Sequence, residues 1–600
     1  MVGPDGISDH IQHRFPPHAL REYALLADGR RGAICGPHGD LVWLCAPTWH
    51  DDAVFAALLG GPGVYAVTPV EPFTWGGYYE PRSLIWRNRW VTTSTIVECR
   101  DALAYPGDPN RVMLLRRVEA IEREVVLRVE LDVRAGFGTL PKTEPHLDEH
   151  GRWVAGSGDL RVRWSGGANA AVGSDGALRM EIAVPAGGRH DLVLEITRAS
   201  LGPPIDPDLA WHRTEHAWHS DIPDLGGSIA PRDTQHAYAV LRGMTAPRGG
   251  MAAAATMSLP ERAEQRRNYD YRYAWVRDQC YAAVAVAAAG PLPLLDDAVS
   301  FLTARLLDDG DALHPAYTVD GDVVPDERPL DLPGYPGGHE VVLGNRVTRQ
   351  TQLDAFGELL QLLAAAARHG HLDTDGARAI RVAAEAIGRR WQRPDAGLWE
   401  LDDQWWTHSR LACVAGLRAA AFAAPTREGS DRMTSLAEDI LTETTRRCLH
   451  PNGYWQRSSQ HTGPDAALLL PPVRGALPGD DPRTRATLTK VRRTLSEDGY
   501  LYRFPQPTQR PGETEGAFLL CGFVMALAEH QQGDEAHALR WFERNRAACG
   551  PPGLLSEEYD VQQRQLRGNL PQAFVHALLL ESAIRLSTPA TPARGPGRSR

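Results

Sequence analysis

The chain has 600 residues, 43% of them hydrophobic and 23% charged, with a formal net charge of -11 and a pI near 6.1. One ordinary core cannot organise that length, so at least two domains are expected; the acidic balance excludes a global attraction to phosphate backbones or anionic lipid, and with it nucleic acid and membrane as general partners. No run of 18 apolar residues occurs, and the opening stretch MVGPDGISDHIQHRFPPHAL has neither a basic n-region nor an apolar h-region, so neither a membrane span nor a signal peptide is expected and the default location is cytoplasmic.

From about residue 20 to 220 the pattern is short and alternating. VVLRVELDVRA (125–135), LRVRWSG (160–166) and HDLVLEITR (190–198) place apolar side chains at i, i+2 and i+4, and turns such as GSGD and GSDG separate such runs. This period predicts an antiparallel β-sandwich with one face of each sheet buried.

After about residue 230 the period changes to that of helices, predicted over 233–244, 278–289, 294–307, 350–369, 375–391, 408–423, 430–448, 484–496, 515–531, 535–548 and 571–586. No repeat of fixed length is visible, which disfavours an open solenoid. A closed toroid of helices fits better, with its long polar loops gathered at one end. The expected domains are therefore a sandwich over 1–225 and a helical toroid over 226–587, followed by a Pro/Gly/Arg-rich tail, 588–600, that has nothing to bury and is expected to be disordered.

Several chemistries are excluded. The eight cysteines are scattered singly, with Cys35, Cys45, Cys413 and Cys521 inside apolar runs and no C-x-x-C pair, which predicts reduced core thiols. Lysine occurs only at Lys142 and Lys490. Neither lies in a G-x-x-x-x-G-K-[ST] loop, so a P-loop site is excluded, and nothing around either favours a Schiff base. The acidic stretches LLDDGD (306–311) and LDD (401–403) read as acidic turns, and His339, His408 and His576 lack an i, i+4 ligand arrangement, so neither a metal nor another cofactor is expected.

Three loop stretches of the helical half are rich in both rings and acids: NYDYRYAWVRD (268–278), DAGLWELDDQWWTHS (395–409) and GLLSEEYDVQQRQLRGNLPQAF (553–574). A sugar presents hydroxyl edges and apolar C–H faces, so its pocket needs charged hydrogen-bonding groups beside aromatic planes. Glu400 in GLWE and Glu557 in LSEEYD both adjoin aromatics. A pair of carboxyls, one giving a proton to the leaving oxygen and one activating water or attacking, is what glycosidic hydrolysis requires. Their separation along the chain leaves open whether they meet, and acids beside rings also occur at ordinary helix ends.

The sequence resembles glycoside hydrolase family 15, the glucoamylase and actinobacterial trehalase family, over nearly its whole length. The matching blocks come in the family's order: YALLADGRRGAICGPHGDLVWLCAP with DDAVFAALLGG, then NYDYRYAWVRD, QLDAFGELL, GLWE, EGAFLLCGF, and SEEYD followed by GNLPQAFVH. The resemblance implies an N-terminal β-sandwich followed by an (α/α)6 barrel. It implies that Arg277 and Asp278 grip the hydroxyls of the reacting glucose with Trp275 and Tyr273 nearby, that Glu400 is the general acid beside Trp399, and that Glu557 is the general base, with Glu558 its less favoured neighbour in the sugar site. It also implies inversion of configuration, with room for one water between base and anomeric carbon and carboxyls roughly 6.5–9.5 Å apart.

One block departs from the family pattern. Where bacterial relatives read like G-Y-x-G-S-R-P-V-R-I-G-N, this chain reads GYPGGHEVVLGN (334–345), with Gly338, His339 and Val342 at the places of a Ser and two Arg. That loop lies near the sugar in relatives, so the departure leaves the leaving-group side open. The expected activity is an inverting, exo-acting α-glucosidase that releases β-glucose from trehalose or α-glucans, acting on a small carbohydrate; the sequence is compatible with a homo-oligomer. The alternatives are an α-glucoside phosphorylase and a non-hydrolytic sugar-binding or biosynthetic protein on the same fold.

Overall fold

Strand Leu178–Val184 shows why the first half folds as sheets: Leu178, Met180, Ile182 and Val184 are buried while Arg179, Glu181 and Ala183 face outward, the period-2 pattern of a half-buried strand. The structure, a computed structural model, describes residues 15–262, 267–338, 340–424, 426–505 and 515–589; the expected tail falls outside them from residue 590. Two antiparallel eight-stranded sheets form the sandwich. One runs in space from Ala24–Ala27 to Ala171–Val172 and contains Val125–Asp132 beside Leu178–Val184. The other runs from His146–Leu147 to Phe73–Tyr79 and contains Arg189–Thr197 beside Val112–Ala120. Trp86, Trp90 and Trp164 fill the space between them.

The sequence reading misses two helices, the one-turn Leu470–Val473 of the barrel and a longer one on the sandwich. Helix α1, Pro207–Asp221, lies where alternating strands are expected. Pro207 sits in its first turn, and the Asp206 side chain caps it by accepting from the N–H groups of Asp208 and Leu209. Its buried residues, Ala210, Trp211, Thr214 and Trp218, follow a helical stripe, and Trp218 stacks on Tyr105 of the sandwich with centroids 3.9 Å apart.

The second half alternates two kinds of helix. The outer ones are α2 (Pro231–Met244), α4 (Pro293–Asp309), α6 (Thr374–Arg390), α8 (Arg427–Cys448), α10 (Pro482–Leu495) and α12 (Glu535–Arg546). They bury one stripe, as α6 does with Ala379, Ile380, Ala383, Ala386 and Ile387. The inner ones are α3 (Val276–Ala289), α5 (Asp354–Arg368), α7 (Thr407–Ala421), the one-turn α9 (Leu470–Val473), α11 (Leu519–Gln531) and α13 (Ala573–Arg585). These are buried round nearly their whole circumference, α5 from Asp354 to Ala366 without a break, because outer helices cover one side and inner neighbours the others. Contacts between α13 and α3 close the ring. The result is an (α/α)6 barrel. No described helix is long and apolar enough to cross a membrane.

Arg272 fastens the barrel to the sandwich. It is fully buried, and its Nε and Nη2 donate to the two Asp270 carboxylate oxygens at 2.9 and 2.8 Å. Its Nη1 donates to the carbonyl of Asp51 at 2.8 Å and reaches that of Trp49 and the Cys45 sulfur in the sandwich. Asp270 in turn accepts from the Gly344 N–H at 3.1 Å, so the same pair also holds the 341–345 strand end of the barrel. Arg272→Ala strands a buried carboxylate and should cost about 3–5 kcal/mol. Chemical denaturation should show a lower midpoint at unchanged slope, and a loss below about 1 kcal/mol would contradict this account of the junction.

Candidate active site

The NYDYRYAWVRD segment runs extended into α3. Strand Ala274–Trp275 pairs with Ala316–Tyr317, and Val276 N–H donates to the Pro315 carbonyl at 2.9 Å, which fixes where the helix begins. Trp275 therefore stands at the helix entry, where its indole N–H donates to Glu400 Oε1 at 2.8 Å. Arg277 and Asp278 occupy the first turn and are both buried. Arg277 Nε donates to Asp278 at 3.1 Å, and Nη1 donates to Gln352 at 3.2 Å and to the Leu398 carbonyl at 3.1 Å. Both its Nη atoms lie 3.5 Å from Glu400 Oε1. Burial pushes the Asp278 carboxyl up to about 6 against the pull of Arg277.

Glu400 is held on a strained turn. Its φ is +53°, a left-handed conformation that costs a non-glycine residue roughly 1–2 kcal/mol and persists where the surroundings impose it. The turn is closed by Leu401 N–H on the Ala396 carbonyl at 3.0 Å. It is anchored by the Asp395 carboxylate, which accepts from the Leu353 and Gly397 N–H groups, the Ser409 hydroxyl and Arg410. Gly397 is required there, because φ is +68° and a Cβ would lie 2.6 Å from the Trp406 ring. Trp399 then points toward Asp465, to which its N–H donates at 3.0 Å, with its ring edge-on to Phe518 and under Arg503.

Glu557 enters from the far end of the chain. It immediately precedes strand Glu558–Asp560, which is paired on one side with Ala517–Phe518 and on the other with Gln565–Arg567. Alternation along this strand separates the two neighbours. Glu557 lines the cavity, while Glu558 turns away and accepts from the Gly516 N–H at 2.6 Å. Glu557 Oε2 is buried without a hydrogen-bond partner among the described residues. Burial pushes its carboxyl well up, the neighbouring Glu261 adds to that, and Arg503 and Arg277 oppose it.

These pieces enclose a cavity of about 430 Å³. Of the residues singled out from sequence, Glu400, Glu557, Arg277 and Trp399 line it. Trp275 and Asp278 do not line it but hold Glu400 and Arg277 from behind. Tyr273 and Glu558 are not in its wall: Tyr273 is fully buried toward the sandwich, with its ring 6.3 Å from that of His50. The sequence reading leaves out Tyr269, Tyr271, Glu261, Arg503 and Phe518, all of which line the cavity. The two tyrosines stack with centroids 5.8 Å apart, and Tyr271 meets Trp275 edge-on. In the departing loop Val342 lines the cavity and its backbone N–H and carbonyl both bond the Ser258 hydroxyl; His339 lies outside the described residues.

Glu400 and Glu557, the Arg277 guanidinium anchored on three groups and a set of aromatic planes thus face one small cavity, with Glu261 and Arg503 beside them, a combination suited to gripping one sugar ring and moving protons at its glycosidic bond. Among the described residues no group of three or more His, Cys, Asp or Glu could hold a metal ion.

The chain is 28% identical over 632 aligned residues to the trehalase of Mycobacterium tuberculosis, covering 96% of this chain and 91% of that one. It is 27% identical to the trehalase of Mycolicibacterium smegmatis, covering 96% and 92%. A bacterial glucoamylase solved in complex with acarbose superposes with a TM-score of 0.72 over 96% of each chain at 14% identity, which shows a shared fold. The profile described as trehalase-like, N-terminal matches residues 16–203, and that of glycosyl hydrolases family 15 matches residues 235–584, which include every residue of the cavity named above. The chain belongs to glycosyl hydrolase family 15, and it is a glycoside hydrolase of the trehalase- and glucoamylase-like kind.

Proposed function

We propose that the protein is an inverting, exo-acting α-glucosidase whose substrate is trehalose, with Glu400 as general acid, Glu557 as general base, and Arg277, oriented by Asp278, as the grip on the reacting glucose. The observation that carries this reading is the convergence of Glu400 and Glu557 on one cavity with Arg277, which reaches from the first turn of α3 to the strained turn of Glu400. One Glu400 oxygen is tied to Trp275 and Arg277, while no hydrogen bond to the other is present among the described residues, which suits it to present a proton. Glu557 lines the cavity, and no hydrogen bond to its carboxyl is present among the described residues, as a base that must bind a water requires. The cavity of about 430 Å³ lies within the range for small-ligand pockets, roughly 300–1,000 Å³, and suits the one or two sugar rings that an exo-acting enzyme must seat. Full-length similarity to two trehalases points the same way.

Trehalose, maltose, isomaltose and longer glucans should be assayed side by side, with and without phosphate. Trehalose should be the best substrate by kcat/KM and yield two molecules of free glucose. Glucose 1-phosphate formed when phosphate is present would instead favour the phosphorylase reading, and faster turnover of long glucans would overturn the assignment of trehalose.

A further inference from the structure

A third acid stands beside the proposed base, and the inference drawn from it rests on that reading of Glu557. Segment 259–261 is laced to the arm that follows the Glu557 strand: Leu259 N–H donates to Asn569 Oδ1 at 3.3 Å and Gly568 N–H donates to the Pro260 carbonyl at 3.0 Å. Between them is Gly568. A Cβ there would lie 3.6 Å from Glu261 Cγ and 3.8 Å from Glu557 Cβ, so the two side chains flank the same point from opposite elements. Glu261 is buried and lines the cavity, with one oxygen accepting from the Tyr271 hydroxyl at 3.3 Å and the other 3.7 Å from Arg267. The two segments are tied together through Gly568 and Asn569, and Glu558 pairs with Arg567 on the same arm, which fixes the backbone separation of Glu261 and Glu557.

We propose that Glu261 is a positioning residue of the reaction: its charge, fixed next to Glu557, sets the lower pH boundary of catalysis. Two carboxyls sharing a buried site cannot both ionise as readily as one alone, so the pair keeps a proton to higher pH than a single acid would. Glu557 also faces Arg277 and Asp278 from α3, Arg503, the Tyr271 hydroxyl, and Cys521 of α11. Glu261 in turn faces Arg267, Arg503 and Glu515. Glu515 does not compete for the proton: although burial works against it, Arg503 and Arg267 hold its carboxyl below the usual range. The adjacent Glu558 is also pushed up, by burial and then by Glu261, but it points out of the cavity toward Gly516. Arg277 is paired with Asp278, and Arg267 and Arg503 are shared with Glu515, so the acid left over on the cavity side is the Glu261–Glu557 pair. For a base that must be ionised to activate water, the acid limb of kcat/KM reports the deprotonation of this pair in the free enzyme.

The test is the pH profile of kcat/KM on trehalose for the full chain carrying Glu261→Gln, Glu261→Asp or Arg267→Met. In Glu261→Gln the limb should move to lower pH, so that one unit below the wild-type limb the variant is roughly three-fold or more faster than wild type. Glu261→Asp, which keeps the charge, should keep the limb near its wild-type position. Arg267→Met removes the cation that screens Glu261 and should move the limb the opposite way, to higher pH; this arm decides the matter should Glu261→Gln not fold. A limb that stays in place in Glu261→Gln, or a rate lost equally at every pH and equally in Glu261→Asp, would overturn the proposal by showing that Glu261 only supports the wall. Failure of the base assignment itself is read separately, from normal turnover by Glu557→Gln.

Discussion

Replacing either Glu400 or Glu557 by Gln should cut kcat by at least about 10²-fold, the usual worth of a positioned acid or base. The substitution keeps shape and hydrogen-bonding capacity, so the loss measures proton chemistry. The two roles then separate by substrate. α-Glucosyl fluoride has a leaving group that needs no protonation, so it should be turned over by Glu400→Gln far better, relative to wild type, than trehalose is. Glu557→Gln should remain slow on both, because no water is activated. Equal losses on the fluoride in the two variants would contradict the assignment of acid and base. Trp275→Phe offers a graded version of the first variant, since it removes the N–H that ties Glu400 in place at 2.8 Å, together with part of the buried ring, while leaving the carboxyl itself.

Arg277→Lys should lose at least about 10²-fold in kcat/KM, and with every substrate, fluoride included. The side chain is anchored by Asp278, Gln352 and the Leu398 carbonyl, so its fork is set before the sugar arrives. A lysine keeps the charge but cannot satisfy three anchors and a sugar hydroxyl from one ammonium. Two charge-assisted hydrogen bonds lost at about 1.5–3 kcal/mol each correspond to the expected drop. Because both carboxyls remain, the shape of the pH profile should be preserved while its height falls. A variant with near-normal kcat/KM on the fluoride would show that Arg277 serves the leaving group and not the reacting ring.

The helical half is legible in the sequence because its two kinds of helix each carry a strong signal. Inner helices such as α11 are continuous apolar runs, and outer helices such as α6 show one clean stripe. Helix α1 escapes because its buried Trp and Ala positions are set among His, Arg and Asp residues, and because it follows a long series of alternating strands. In the site, the resemblance points to Glu400 and Glu557, whereas the residues alone leave open whether they meet; closure of the ring between α13 and α3 is what gathers the loops. Tyr273 shows the limit of carrying a whole motif block over by resemblance. Arg272, the residue before it, is drawn to the carbonyls of Trp49 and Asp51, and Tyr273 itself packs toward His50 rather than into the cavity. Arg503 lies in YLYRFP, which matches no motif. Its importance comes from tertiary neighbours only, with Phe518 4.3 Å and Trp399 5.3 Å beneath its guanidinium.

The most direct test of the account is the anomeric form of the first products released from trehalose, read by proton NMR before mutarotation sets in. An inverting enzyme turns the attacked glucose over and leaves the other as it was, so β-glucose and α-glucose should appear in equal amounts from the earliest time point. Attack by an enzyme carboxylate followed by hydrolysis would retain configuration at both sugars. The appearance of α-glucose alone would therefore contradict the assignment of Glu557 as a base acting through water.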